Sequence, residues 1–253
     1  DNENWADVMT SIFDRLRFLQ AGDQSLTVEV GDTINPDVNS RVRKLNLAIL
    51  DASIAGVREV VPTYRSLLIY YDALVISSSD LIDRIGSIEE RADSQLVYRA
   101  RIISIPTLYD GKYGPDLQYV ASHAGLTTEE VINIHSETDY RVYMMGFSPG
   151  FPYLGGLSPK LATPRLETPR AEIPGGSVGI AENQTGIYPV SSPGGWRLIG
   201  CTPLNFFDPY MDPPVIVNPS DTIRFVPLQS ESEYLRIKNE VENGLFEVRA
   251  EDI

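Results

Sequence analysis

The residues with the widest chemical reach lie between 145 and 203. Arg165 and Arg170 each carry a planar guanidinium that can grip a carboxylate or phosphate through two parallel hydrogen bonds. Five residues apart, they face opposite ways on one straight strand and share a site only if the chain turns between them. The same arginines could instead pair with Glu167 and Glu172 at the surface, where ion pairs contribute little. Gly175-Gly176 and Gly194-Gly195 let backbone pass close to a ligand, and tight sheet corners need the same freedom. Gln184, Tyr188 and Ser192 offer uncharged groups for orienting a ligand, while Phe147, Phe151, Tyr153 and Trp196 supply apolar walls or core. His135, a residue type whose unperturbed pKa lies near neutrality, is a candidate general acid–base, or else a helix-end side chain that closes a last carbonyl. Cys201 has only Arg197 as a basic neighbour in sequence and reads as a buried, unreactive thiol.

Signatures of the commoner nucleotide and metal reactions are missing: there is no GxxxxGK phosphate loop, no GxGxxG and no HExxH. One cysteine with two histidines, His123 and His135, builds neither a Cys/His zinc site nor an internal disulfide, so no metal site is expected.

Two differently composed stretches must position these side chains. Of 18 prolines and 19 glycines, 13 and 11 lie between 146 and 219, which predicts short strands joined by specific turns. The clearest strand candidates are 140–147, 177–181, 186–190, 196–199 and 222–226, and a closed barrel would hide their edges. Ahead of them, residues 116–124 read as a helix, and Thr127 with Glu130 forms a capping box that opens another at 128–135. The first hundred residues read otherwise. Trp5, Val8, Met9, Ile12, Phe13 and Leu16 recur at helical spacing and predict a helix over 5–16 that caps the domain or docks on a partner. Residues 16–20 and 25–30 flank an AGDQ turn as a hairpin, and Asn35-Pro36-Asp37 starts a helix carrying Val38, Val42, Leu45 and Ile49 on one face. Strands at 56–61 and 66–72, a helix at 79–93 and a strand at 96–105 complete a β-β-α-β-β-α-β order, an antiparallel sheet with helices on one face.

The chain has 253 residues, 21 basic against 35 acidic, for a net charge of −14. That balance repels phosphate backbones and anionic lipid, and no local basic patch offsets it, so neither nucleic acid nor a membrane is an expected partner. No apolar run reaches the ~18 residues of a membrane span, and the acidic N-terminus differs from a signal peptide, so the expected location is the cytoplasm.

PTYRSLLIYYD, YGPDLQYVA, LTTEEVINIHS, YRVYMMGFSPGFPYLGGL, the repeated TPR, GSVGIAENQTGIYPVSSPGGWRLIG and SDTIRF together resemble the allophanate hydrolase subunit 1 / KipI family, over about 17–227. The resemblance implies an α+β N-terminal domain and an all-β cyclophilin-like barrel, in agreement with a split of the chain into 1–100 and 101–253, the helix expected over 5–16 standing as a separate element at the start of the first. It implies one component of a bacterial ATP-dependent 5-oxoprolinase that converts 5-oxoproline to glutamate and is inactive alone. ATP with magnesium would be held by the assembled complex rather than by this chain. The partners would be a subunit 2 protein, corresponding to the C subunit of 5-oxoprolinase, and a LamB/YcsF-type protein corresponding to its A subunit. Matched onto the family's cleft, Phe147, Pro149, Arg165, Arg170, Gln184, Tyr188, Ser192 and Trp196 surround one pocket, with Gly194 and Gly195 orienting the substrate and His135 as the proton carrier. Two alternatives stay open: a KipI-like histidine kinase inhibitor docking through Pro62, Thr63 and Tyr64, and a carboxyltransferase-type module of the urea carboxylase/allophanate hydrolase group. The second would require a biotinylated carrier, and the chain has no MKM motif. The chain departs from the family pattern at Gly175, where Ala is common, and at Cys201, where Arg is usual.

Overall fold

Strand β1 (Ile12–Gln20) occupies the stretch where the apolar stripe predicts the end of a helix. It pairs antiparallel with β2 (Ser25–Gly31), from Arg17↔Glu29 to Gln20↔Leu26, and a backbone ladder of that length overrides a local helical spacing. The computed structural model describes residues 12–91 and 101–252, so the rest of the expected helix 5–16 lies outside the described residues. The chain divides into two units, Asp1–Tyr98 and Arg99–Ile253.

In the first unit, α1 (Pro36–Asp51) starts where Asn35 accepts from the Asp37 N–H, with Pro36 in the first turn where its missing donor costs nothing. Then come β3 (Val57–Pro62), β4 (Ser66–Tyr71) and α2 (Ser78–Arg91). The strands form an antiparallel sheet in the order β1-β2-β4-β3. Val28, Val30, Leu67 and Ile69 from the sheet share a core with Val42, Leu45, Leu81 and Ile85 from the helices. Each such fully buried side chain stabilises the unit by ~1.5–3 kcal/mol.

The second unit carries β5 (Arg101–Thr107), α3 (Leu117–Ala124), α4 (Thr128–Ser136), β6 (Asp139–Met145), β7 (Pro152–Gly155), β8 (Arg170–Ile173), β9 (Ser177–Ala181) and β10 (Gln184–Ile187). After them come β11 (Ser192–Gly194), β12 (Arg197–Cys201), β13 (Thr222–Pro227), α5 (Glu231–Glu242) and β14 (Ala250–Asp252). Eight strands form one sheet in the order β12-β9-β10-β7-β6-β13-β5-β14, and β11 pairs with β8 as a separate ribbon. With three helices this unit is not all-β.

Nor is its sheet a closed barrel. The reason lies on one edge of β5, where β14 takes residues Arg101–Ile103 and leaves only Leu108, just past the strand, to meet Cys201 of β12. Two hydrogen bonds of 2.9 Å make that single bridge. Among the described residues no helix is long and apolar enough to cross a membrane.

Candidate functional site

The ribbon β8–β11 brings Arg170 opposite Gly194 and Ile173 opposite Ser192. A Cβ on Gly194 would lie 2.4 Å from the Tyr188 hydroxyl and 2.8 Å from Ile173 Cδ1, so only glycine lets this strand close over the tyrosine. Trp196 follows at once. Room for its indole comes from β9 and β10, where a Cβ on Gly186 would meet the ring at 3.0 Å and one on Gly179 would meet Trp196 Cβ at 3.1 Å.

Phe151 stands edge-on to both neighbours, 5.6 Å from Trp196 at 90° and 5.5 Å from Tyr188 at 84°. Phe147 meets Phe151 the same way at 5.6 Å. These edge-to-face contacts are the favoured arrangement for aromatic quadrupoles. Together they wall a cavity of about 250 Å³, completed by Tyr153, Arg165, Pro169, Pro193, Gly194 and Gly195. Burial pushes the Tyr188 phenol above its ordinary pKa, so it stays neutral and keeps its proton. Arg165 is the only charged residue of this lining, with its guanidinium carbon 5.9 Å from the Trp196 ring centre. Phe147, two-thirds exposed at 66%, holds a backbone φ of +65° that a side chain with a Cβ rarely adopts. The cavity therefore offers flat apolar walls and one positive charge.

A larger cleft of about 610 Å³ runs along Leu108–Gly111, Gly114, Pro115, Leu117, Gln118 and Pro227–Gln229, with Asp110 as its one charged residue. Charge decides between the two for an anionic ligand, and it favours the smaller.

Of the residues singled out from sequence, Phe147, Arg165, Tyr188, Gly194, Gly195 and Trp196 gather in this cavity. Arg170 does not line it. Its Nη2 donates to Asp116 Oδ1 at 2.9 Å and its Nη1 to the Trp196 carbonyl at 3.4 Å, so its guanidinium grips the protein itself. His135 is sealed in the core. Thr185 Oγ1 donates to the Gly179 carbonyl (3.0 Å), so it accepts from His135 Nε2–H (2.9 Å), leaving Nδ1 to accept from the Tyr109 hydroxyl (2.7 Å). Burial alone lowers the histidine to a pKa of about 3, and a neutral imidazole with both nitrogens bonded internally has no path to a substrate proton.

Gln184 opens β10 opposite Ala181, and Ser192 and Pro149 likewise stay outside the lining. Pro62, Thr63 and Tyr64 form a half-buried turn. Thr63 bonds Ser66, and the Asn39 side chain of α1 donates to the carbonyls of Thr63 and Tyr64 at 3.2 Å each. Cys201 is buried with its thiol pKa raised by desolvation, 3.4 Å from the Tyr234 hydroxyl.

Residues 146–150, Gly-Phe-Ser-Pro-Gly, also fit the GxSxG pattern of acyl-transfer enzymes. Here the segment joins strand β6 to strand β7 instead of leading a strand into a helix, the positive φ falls on Phe147 and Gly150 rather than on Ser148, and His135 is committed elsewhere. Among the described residues no triad is assembled around Ser148. Among the described residues no group of three or more His, Cys, Asp or Glu side chains could hold a metal ion.

Asp116 is not legible in the sequence as a site residue. An acid at the start of a predicted helix is ordinary, and nothing in its spacing shows that its carboxylate would reach Arg170 and the Leu198 N–H (2.7 Å) rather than cap α3.

The family description "carboxyltransferase domain, subdomain C and D" matches residues 16–217. The chain is 42% identical to the B subunit of 5-oxoprolinase from Bacillus subtilis over 89% of this chain and 98% of that protein. It is 38% identical to the corresponding B subunit from Escherichia coli O157:H7, over 84% of this chain and 96% of that one. A crystal structure of a conserved uncharacterized protein, PH0987 from Pyrococcus horikoshii, is 45% identical with a TM-score of 0.52, covering 86% of this chain and all of that one.

Proposed function

The chain belongs to the family of the carboxyltransferase domain, subdomains C and D, and from that membership we propose that it works as one component of a bacterial ATP-dependent 5-oxoprolinase. The observation that carries this reading is the 42% identity to a 5-oxoprolinase B subunit, sustained over nearly the full length of both chains. 5-Oxoproline is a five-membered lactam whose amide resonance resists attack by water. Transfer of a phosphoryl group from ATP to the amide oxygen would release ADP and activate the amide carbon. One water could then add at that carbon and expel the ring nitrogen as an amine, and a second water would hydrolyse the resulting acyl phosphate to glutamate and phosphate.

The aromatic cavity suits the substrate by size and charge. At about 250 Å³ it falls below the ~300–1,000 Å³ of drug-sized ligand sites, so it accommodates one small ring but not a nucleotide. In this reading the ring lies against Trp196 and Tyr188, and its carboxylate faces Arg165. ATP and its magnesium would then be held in the assembled complex rather than by this chain alone, the cavity being too small for a nucleotide. The partners would be the C subunit of 5-oxoprolinase and its LamB/YcsF-type A subunit, working in the cytoplasm where ATP is available.

The test is phosphate release with purified components. This chain alone should release none, and the chain with both partners should release phosphate only when ATP and 5-oxoproline are present together. Arg165→Ala in that mixture should raise the KM for 5-oxoproline by roughly tenfold to a hundredfold, the worth of a charge-assisted hydrogen bond. A complete mixture that consumes no 5-oxoproline would overturn the assignment.

A further inference from the structure

Asp116 stands at the N-cap of α3 without capping it. Aspartate is a favoured N-cap residue because its carboxylate can accept from the first free helix N–H groups, so its absence from that role means that the carboxylate is held elsewhere. Its backbone N–H donates to the Leu198 carbonyl at 2.8 Å, and its Oδ2 accepts from the Leu198 N–H at 2.7 Å. One residue thus supplies both halves of a strand-like pairing with β12. Its second oxygen, Oδ1, takes the Arg170 guanidinium, which also reaches the Trp196 carbonyl. The approach is close: a Cβ on Gly114, two residues earlier, would lie 2.2 Å from the Ile199 carbonyl oxygen.

Two residues that adjoin the cavity wall meet at this carboxylate. Arg170 pairs with Gly194 across the ribbon and donates to the Trp196 carbonyl, and Leu198 of β12 lies two residues beyond Trp196. The Asp116 side chain is 10% exposed and that of Arg170 30%, so the pair is largely withdrawn from water, where an unpaired carboxylate would be costly.

We propose that Asp116 is the positioning residue of the aromatic cavity, fixing the Gly194–Trp196 wall through Arg170 and β12. This deepens the reading of that cavity as the 5-oxoproline site and rests on it only for the kinetic arm of the test.

The first arm needs no activity. In a Trp5→Phe background Trp196 is the sole tryptophan, and Asp116→Asn should shift its emission to longer wavelength and at least double its acrylamide quenching constant while far-ultraviolet circular dichroism is unchanged. Arg170→Gln breaks the same pair from its more exposed side and should give the same spectral change. It is the deciding variant if Asp116→Asn does not fold. The double variant should add no further change. In the assembled complex Asp116→Asn should raise the KM for 5-oxoproline about tenfold with kcat within threefold, and Asp116→Glu should recover part of the loss. Trp196 emission and quenching left unchanged by Arg170→Gln would overturn the proposal, as would fully additive effects of the two substitutions. An altered Trp196 signal in a complex that does not hydrolyse 5-oxoproline would instead support the positioning role and overturn the assigned substrate.

Discussion

His135 shows how a residue with catalytic credentials is spent on the interior. Both ring nitrogens are bonded, to Tyr109 and Thr185, and burial lowers its pKa to about 3 against an ordinary 6.5. The unfolded chain therefore binds the extra proton first as pH falls, so the stabilisation is complete above pH 6.5 and is lost progressively from there down to about 3. Between pH 7 and 5 this one group should cost about 2 kcal/mol of unfolding free energy. Urea unfolding of the wild type and His135→Gln at both pH values should show that much less pH dependence in the variant; parallel profiles would show that the imidazole is not held neutral. The sequence supplies residue type here but not environment. From spacing alone His135 could be a proton carrier or a helix-end side chain, and only the packing of Phe225 and Tyr140 on its ring decides for neither. Arg165 and Arg170 divide for a similar reason: one points to a cavity and one to an acid 54 residues away in the chain, a pairing no local pattern encodes.

At the scale of elements, legibility follows length and periodicity. The helix α1 and the β3–β4 hairpin carry long apolar patterns with clear punctuation and form where the pattern places them, as do the turn and inner halves of the β1–β2 hairpin. The four-residue strands β7 and β8 and three-residue β11 and β14 are too short to show an alternation, whereas β9, buried at all five positions, forms at 177–181 where its short apolar run between turn residues places it. The start of β1 misleads because Ile12, Phe13 and Leu16 satisfy a helical spacing while the ladder to β2 sets the backbone. The capping box of α4 forms as the sequence indicates: Glu130 N–H donates to Thr127 Oγ1 at 3.2 Å and the Thr127 N–H donates to Glu130 Oε2 at 2.7 Å. Thr127→Ala should accordingly destabilise by about 1 kcal/mol, read as a lower urea midpoint at unchanged slope. No change in midpoint would mean that the packing of Val131 and His135 holds the helix without its cap.

The whole molecule is acidic at −14, yet the cavity presents a cation, and distance decides which an approaching anion meets. At 0.15 M salt the screening length is about 8 Å, so Arg165, 5.9 Å from the Trp196 ring, acts within it while most of the negative surface acts from beyond. Near 10 mM the length grows to about 30 Å and the global repulsion reaches the site. In the Trp5→Phe background, iodide should therefore quench Trp196 more efficiently as salt is raised from about 10 to about 150 mM, and Arg165→Ala should remove the advantage of iodide over caesium. Quenching that falls with salt would place the site outside the acidic field. The open sheet carries a last consequence. Because β14 lies along β5 in place of β12, three exposed residues cover the Arg101–Ile103 stretch of that edge. Replacing Ala250–Asp252 with a sequence that cannot pair would leave the Arg101–Ile103 backbone as a bare template for edge-to-edge self-association, read as larger species by size-exclusion chromatography.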